Sequence, residues 1–134
     1  MNIIGFLQVR NEIASGHLER FIEINGPLLD ALFVYDDFSD DGTFELASRH
    51  ATGVVRGESR QFGHELVNKS LLLEEVKKYG KAGDAILWLD ADEVLYSSKN
   101  ELKSLVADAF DEGYDAIELP HINLWRSNDW FRTD

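Results

Sequence analysis

The sequence alternates short apolar runs of strand length with longer segments whose apolar residues recur at helical spacing. Strands are predicted over residues 2–9, 31–35, 53–56 and 85–89, and helices are predicted to begin near Ser15, Thr43, Phe62 and Ser98. This alternation is typical of an α/β architecture in which helices pack against a sheet. Residues 85–89 contain no polar side chain, which predicts a central strand buried on both faces, as in parallel sheets.

Local patterns refine the helices. Ser15 is the expected N-cap of the first helix. Residues 98–101, Ser-Lys-Asn-Glu, match a capping box, and the helix that they start has an apolar face of Leu102, Leu105, Val106 and Phe110. The long third helix is predicted to end at Gly80 and to bury a stripe formed by Leu66, Val67, Leu71, Leu72 and Val76. Two further strands are predicted over residues 116–119 and 122–125.

The composition limits the partners of the chain. Its 134 residues are 44% hydrophobic, enough for the core of one domain covering residues 1–134. With 13 basic and 25 acidic residues the net charge is −12, which argues against a nucleic acid or an anionic membrane as partner. The chain has no cysteine, no apolar run of the ~20 residues that span a bilayer, and no signal-peptide pattern. We therefore expect a soluble, cytoplasmic protein.

The final residues are unusually aromatic for the end of a domain. Trp125, Trp130 and Phe131 are large apolar side chains within the last ten residues. Chain ends are usually polar and poorly packed. We expect the chain to be the N-terminal part of a longer domain.

Acidic residues follow the last of the four main strands. Asp90, Asp92 and Glu93 come directly after the apolar run, with the small Ala91 between the first two. If the chain stays extended, the two aspartates project to the same side, at the edge where open α/β sheets bind ligands. Crowded carboxylates favour a divalent cation, and their oxygens suit Mg²⁺ or Mn²⁺. The alternative is that these acids only solvate the end of the strand.

A second acidic segment follows the second strand. Asp36 and Asp37 end an apolar run, where a carboxylate is costly without a partner, and either could accept hydrogen bonds from a nucleotide base or a ribose. Asp41 and Gly42 are explained by a turn and a helix cap alone.

Charged side chains also follow the first and third strands. Gln8, Arg10 and Glu12 end the first strand at the same expected edge, although Arg10 could simply pair with one of the many acids. Arg60, with His64 and Lys69, lies near the start of the long helix, where cations could neutralise a diphosphate. The four histidines lack zinc-site spacing, and the P-loop, dinucleotide-binding and serine-hydrolase motifs are all missing from the sequence.

These strand ends, taken in order, resemble glycosyltransferase family 2 with its GT-A fold. The matching segments are Arg-Asn-Glu at residues 10–12, Asp-Asp-Phe-Ser-Asp-Asp-Gly-Thr at residues 36–43 and Leu-Asp-Ala-Asp-Glu at residues 89–93. The resemblance implies a Rossmann-type three-layer α/β sandwich with a mostly parallel sheet. It also implies inverting transfer of a sugar from a nucleotide-sugar donor, of UDP type, to an acceptor that is a carbohydrate, a lipid or a protein.

The resemblance also implies roles for individual residues. Asp37 would contact the base, Asp90 the ribose or the metal, and Asp92 would be the principal ligand of the Mn²⁺ or Mg²⁺ cofactor. Two positions depart from the family pattern, because Phe38 replaces a glycine and Arg10 replaces an aromatic residue. The catalytic base is not identified, and Asp129 and Asp134 are the acids that remain near the end.

Three other readings share parts of this pattern. A nucleotide-sugar-binding module without catalysis would have every feature except the base. A receiver domain would need its acid pair after the first strand, and it would need a lysine late in the chain, where none follows Lys103. A haloacid-dehalogenase-like phosphatase would need its Asp-x-Asp motif at the start of the domain.

Overall fold

The computed structural model describes residues 1–60, 63–124 and 131–132. They divide into two compact units, Met1–Ser104 and Leu105–Asp134. The strands are β1 (Ile3–Val9), β2 (Ala31–Asp36), β3 (Gly53–Arg56), β4 (Ala85–Trp88), β5 (Asn123–Leu124) and β6 (Phe131–Arg132). The helices are α1 (His17–Asn25), α2 (Thr43–His50), α3 (Glu65–Tyr79) and α4 (Lys99–Asp111), and a 3₁₀ turn (Gly26–Leu28) follows α1. In the part of the chain that is described, no helix is long and apolar enough to cross a membrane.

The first unit contains a four-stranded parallel sheet in the order β3-β2-β1-β4. The register aligns Val9 with Asp36 and Asp36 with Arg56, while Phe6 aligns with Trp88. All four strands therefore end at the same edge of the sheet. In the second unit, β5 and β6 form a short antiparallel pair.

Helices α1 and α2 cover one face of this sheet. Leu7 and Val9 of β1 and Val34 of β2 are buried there against Leu18 and Phe21 of α1. Ala47 of α2 and Ala91, beyond β4, complete the same cluster. Because side chains alternate along a strand, the residues between these in β1 and β2 face the opposite side.

Helix α3 covers that opposite side. Phe6, Phe33 and Tyr35 pack there against Leu72 and Val76. The result is a helix–sheet–helix sandwich with a core on each side of the sheet. The expected fold class, a Rossmann-type GT-A-like α/β sandwich around a parallel sheet, is confirmed.

The buried stripe expected on α3 is confirmed only in part. The α3 residues that face the core are Asn68, Leu72 and Val76, spaced four apart, whereas Leu66, Val67 and Leu71 are exposed and line an open depression of about 330 Å³. Leu72 and Val76 are thus buried as expected, and the expectation is wrong for the other three residues because apolar side chains occupy two sides of this helix.

Strand β4 is not central. Among the described strands it lies at the end of the sheet order, and Ile86 and Trp88 are 46% and 54% exposed, while Leu87 is buried. Its apolar run has the composition of a strand buried on both faces, but only one neighbour, β1, pairs with it in the described residues.

The helix ends agree in part with the sequence. The capping box is confirmed, because the Ser98 N–H donates to Glu101 Oε2 at 2.8 Å and the Glu101 N–H donates to Ser98 Oγ at 3.2 Å. Ser15 is not the cap of α1. That position belongs to Gly16, whose φ of 71° is left-handed, although Ser15 Oγ still accepts from the His17 N–H at 3.3 Å.

The expectations for the last thirty residues have mixed outcomes. Residues 116–119 do not form a strand, and the strand expected over residues 122–125 is present as β5. Trp125, Trp130, Asp129 and Asp134 lie outside the described residues.

Candidate functional site

The loops after β1 and β2 are joined at the carboxyl edge of the sheet. Residues 10–16 form the first loop and residues 37–42 the second loop. Arg10 Nη1 donates to the Asp37 carbonyl at 2.6 Å. The Asn11 N–H donates to Ser39 Oγ at 3.0 Å, and Asn11 Oδ1 accepts from the Asp40 N–H at 3.1 Å. Arg10 therefore binds the backbone of the second loop rather than an acidic side chain. These hydrogen bonds fix the two loops to each other.

The second loop enters α2 through a turn that also holds the first loop. Gly42 has a φ of 100°, a conformation that favours glycine, and Asp41 Oδ1 accepts from the Thr43 N–H at 3.0 Å. Burial works against the Asp41 carboxylate, but hydrogen bonds from Thr43 and Ile13 outweigh it and lower its pKa. The Glu12 N–H donates to Thr43 Oγ1 at 2.8 Å. The structural role expected for Asp41 and Gly42 is thus the observed one.

Asp36 and Asp37 have different surroundings despite being adjacent. Asp36 is fully buried, its Oδ2 accepts from the Ser39 N–H at 3.1 Å, and Arg56 Nε lies 3.4 Å from the same oxygen. Its Oδ1 is buried without a hydrogen-bond partner among the described residues. Asp37 is 4% exposed, and its N–H donates to the Val9 carbonyl at 2.9 Å. Asp36 is therefore tied into the second loop by its side chain, and Asp37 is anchored to β1 by its backbone.

The acids after β4 lie in a tight turn, which corrects the expectation of an extended chain. The Glu93 N–H donates to the Asp90 carbonyl at 3.0 Å, and the Asp90 N–H donates to Glu93 Oε2 at 2.8 Å. We call residues 90–93 the acidic turn. Because side chains do not alternate in a turn, the spacing of Asp90 and Asp92 does not by itself place them on one side.

The acidic turn is held against α1 by one buried side chain. Asn25 is fully buried at the end of α1. Its Nδ2 donates to the Glu93 carbonyl at 2.9 Å, and its Oδ1 accepts from the Leu95 N–H at 2.8 Å. These two bonds fix the path of the chain as it leaves the acids.

The charge of Asp90 is poorly accommodated in this turn. Burial raises the pKa of its carboxyl, the neighbouring Glu93 and Asp92 raise it further, and Lys69 opposes them. Lys69 Nζ lies 3.9 Å above the ring of Trp88 and also pairs with Glu65. A cation near Asp90 would relieve the crowding of negative charge.

The described residues contain no group of three or more acidic or histidine side chains that could hold a metal ion. Asp90 and Asp92 supply carboxylate oxygens, and Mg²⁺ sites commonly use one or two carboxylates completed by substrate phosphates and water. The chemistry of these two carboxylates would thus suit a cation that substrate phosphates also ligate.

The other expected site residues are less closely connected. Gln8 is half-buried on β1, and its Oε1 is buried without a hydrogen-bond partner in the described chain. Glu12 accepts from Ser15 Oγ at 2.9 Å and lies 3.3 Å from His17 Nδ1. Arg60 is exposed in the connection between β3 and α3. Gln8 thus lies on β1, Glu12 lies in the first loop, and Arg60 follows β3.

Sequence reasoning missed two residues that shape these loops, Arg56 and Asn25. Arg56 is the last residue of β3 and lies beside Asp36 in the sheet register. A sequence signal for Arg56 does exist, because it is a single basic residue at the end of a strand and the preceding strand ends in an acid. Asn25 has no such signal, because its partners are backbone groups 68 and 70 residues away.

The sheet and the acidic loops at its carboxyl edge together indicate the class of fold. A four-stranded parallel sheet flanked by helices is consistent with a Rossmann-like GT-A fold, and acidic loops follow β2 and β4 at its carboxyl edge. No protein-family model and no curated protein matches the sequence.

Solved structures of one glycosyltransferase, S. aureus TarS, share this fold. The crystal structure of its residues 1–349 matches with a TM-score of 0.59 and 15% identity, over 90% of this chain and 39% of that one. A second TarS crystal structure matches with a TM-score of 0.57 and 14% identity, over 95% of this chain and 24% of that one. The chain thus has a glycosyltransferase-like fold and spans well under half the length of these neighbours.

Proposed function

We propose that this chain is the nucleotide-sugar-binding part of a glycosyltransferase of family 2 type. The observation that carries the proposal is that two acidic loops, after β2 and after β4, follow strands ending at one edge of a glycosyltransferase-like sheet. Ligands of open α/β sheets bind at that edge. The similarity to TarS supports the fold, and the donor and the reaction are inferred from the chemistry of the residues.

In this proposal the second loop recognises the nucleoside. Asp37 accepts hydrogen bonds from an N–H group of the base, and its backbone bond to Val9 keeps it at the strand end. A carboxylate accepts hydrogen bonds and donates none, so one of its oxygens can accept from the single ring N–H of uracil. Arg10 supports the same position through the Asp37 carbonyl. This contact is compatible with the UDP-type donor that the resemblance to family 2 implies.

The acidic turn holds the diphosphate end of the donor. Asp92, with Asp90, would ligate Mn²⁺ or Mg²⁺, which when bound supplies Lewis-acid stabilisation of the departing diphosphate. The crowding of Asp90, Asp92 and Glu93 favours a cation at this place. Arg60, exposed before α3, supplies a positive charge for the phosphates.

The proposed reaction exchanges one bond at the anomeric carbon. The acceptor hydroxyl oxygen forms a bond to that carbon while the bond to the nucleoside diphosphate breaks, and inversion follows from attack on the opposite face. A carboxylate base takes the hydroxyl proton. That base is unassigned, since the acids Asp129 and Asp134 lie outside the described residues.

A non-catalytic nucleotide-sugar-binding module is the second candidate. It shares every feature of the proposed site and differs only in lacking the catalytic base, which is unassigned here. The two candidates separate on release of UDP from a UDP-sugar in the presence of Mn²⁺. Release that depends on the chain and on an acceptor supports the enzyme, and binding without release supports the module.

The proposed site is tested by calorimetric titration of UDP with Mn²⁺ into Asp92→Asn and into the matched control Asp108→Asn, whose acid is exposed on α4. We expect Asp92→Asn to weaken metal-dependent UDP binding at least about tenfold, since tenfold corresponds to about 1.4 kcal/mol. The control should bind like the wild type. Equal affinities for all three proteins would contradict the proposed metal site.

A further inference from the structure

Arg56 makes three kinds of contact with the second loop and with the residues on either side of it. Its Nη2 donates to the Ser39 carbonyl at 2.8 Å, and its Nε lies 3.4 Å from Asp36 Oδ2. Its guanidinium carbon lies 4.4 Å from the ring centre of Phe44 and 5.9 Å from that of Phe38. One side chain thus joins the end of β2, the loop itself and the start of α2.

The loop that Arg56 holds is strained. Phe38 has a φ of 55°, the left-handed region that a bulky residue rarely adopts, and its side chain is 45% exposed. Strained backbone of this kind persists only where surrounding contacts hold it, and it is common at ligand sites. The Phe38 N–H also donates to the Asp36 carbonyl at 2.9 Å, so the strained residue lies within a tight bend about Asp37.

We propose that Arg56 is a positioning residue that keeps the second loop, and with it Asp37, in the conformation that binds the nucleotide. The inference rests on the proposed function, because it assigns Arg56 an effect on UDP without contact to UDP. Asp36 connects Arg56 to the second loop. Its buried carboxylate binds the Ser39 N–H and faces Arg56, so loss of the guanidinium leaves a buried charge without that cation.

Lysine cannot reproduce these contacts. A guanidinium offers donors in a fixed plane along its edge and a flat face that stacks on aromatic rings, whereas an ammonium is a compact charge. Arg56 uses the edge toward Asp36 and Ser39 and lies over the ring of Phe44. Arg56→Lys therefore keeps a positive charge near Asp36, but it removes the planar set of donors and the flat face that lies over Phe44.

The test compares Arg56→Lys with Arg49→Lys, a matched control on the exposed surface of α2. Hydrogen exchange of the Ser39 and Asp37 amides measures the order of the loop without ligand, and UDP titration with Mn²⁺ measures binding. Urea unfolding reports global stability. Phe44→Leu is a second variant, which removes the stacking and leaves the ion pair in place.

We expect Arg56→Lys to speed exchange at Ser39 and Asp37 about tenfold or more and to weaken UDP binding by about the same factor. Phe44→Leu should give smaller changes of the same sign, and Arg49→Lys none. Wild-type exchange or wild-type UDP affinity in Arg56→Lys would overturn the inference. If the wild-type chain binds no UDP, the proposed function fails and the binding half of the inference fails with it. The exchange comparison then still decides whether Arg56 holds the loop.

Discussion

Asp90 illustrates how a proposed ligand residue can oppose the stability of the chain that carries it. Its pKa is raised by burial and by Glu93, so its charged form is disfavoured in the folded state. At pH 7 the carboxyl is ionised in the unfolded chain as well, and folding must place that charge next to other acids. A cation bound at the site would reverse the penalty.

Asp90→Asn is accordingly expected to stabilise the ligand-free chain at pH 7. The gain is at most about 1 kcal/mol in the free energy of unfolding, because solvent screens an exposed carboxylate. At pH 3, below the unfolded pKa of about 3.9, the carboxyl is protonated in both states and the gain should vanish. Urea unfolding at both pH values measures it, with Asp108→Asn as control. Destabilisation at pH 7 would contradict the account.

The left-handed backbone of Phe38 gives a prediction that is independent of any ligand. At a φ of 55° an alanine pays the cost of the left-handed conformation and a glycine does not. Phe38→Gly should therefore be more stable than Phe38→Ala by about 1 kcal/mol. Thermal or urea unfolding of the two variants measures the difference. Equal stabilities, or a more stable alanine variant, would show that the residue is unstrained.

The adjacent acids Asp36 and Asp37 show a limit of sequence reasoning at this scale. A pair of acids after an apolar strand predicts that a partner exists, and Asp36 has one in Arg56. The sequence cannot tell which acid turns inward, because the direction of each side chain depends on where the strand ends. β2 extends through Asp36, one residue beyond the predicted end.

At the scale of elements, Asn25 connects the end of α1 to the acidic turn. Removal of its amide leaves the Glu93 carbonyl and the Leu95 N–H without these partners. Asn25→Ala should therefore cost about 2 to 3 kcal/mol in the free energy of unfolding. It should also weaken metal-dependent UDP binding, because the turn loses its anchor. Urea unfolding and UDP titration measure both effects.

The matched control for that variant is Asn100→Ala, which alters an exposed asparagine in the first turn of α4. A change within about 0.5 kcal/mol is expected there, as for surface positions in general. A similar loss in both variants, or no loss in Asn25→Ala, would mean that the buried amide does not fix the turn.

The helices and strands were predictable where local sequence determines their bounds. They were not predictable where tertiary packing determines which face is buried or where a strand lies in the sheet. The bounds of α2 and β3 follow from a turn at Gly42 and from short apolar runs, and the capping box at Ser98 acts within four residues. The buried face of α3 did not follow, because its buried stripe includes the polar Asn68 and leaves Leu66 exposed. The end position of β4 depends on sheet order, which apolar content does not encode.

At the scale of the whole molecule, one cluster of charges ties α4 to the start of the sheet. Asp30 accepts from the Ile3 N–H at 2.9 Å and lies 2.6 Å from Lys99 Nζ and 3.1 Å from Lys103 Nζ. Lys99 and the Ile3 N–H hold the pKa of Asp30 well below its usual range. Its carboxylate is 23% exposed, so part of this interaction is screened.

Asp30→Asn should therefore destabilise the chain by about 1 kcal/mol at neutral pH. A lowered pKa in the folded state gives stability that is present above the unfolded pKa of about 3.9 and is lost as the pH falls further. The difference from the wild type should shrink steadily between pH 4 and pH 2. Unfolding at several pH values measures it, with Asp115→Asn as the exposed control. A difference independent of pH would exclude the ion pairs as its cause.

The positions of the candidate site residues in the fold were predictable in outline. Acids after β2 and β4 and polar residues after β1 follow from reading where each apolar run stops, and parallel strands bring those ends to one edge. The turn of residues 90–93 and the contacts of Arg56 and Asn25 were not predictable, since they depend on hydrogen bonds between distant segments.

In the proposed function, the second loop and the acidic turn bind one ligand together with a divalent cation. The most direct measurement is the broadening of backbone amide signals in NMR spectra of the chain with UDP when Mn²⁺ is added, with Mg²⁺ as the diamagnetic reference. We expect selective broadening at residues 90–93 and, only when UDP is present, at residues 37–39. Broadening that spreads over scattered surface acids, or that is the same with and without UDP, would contradict it.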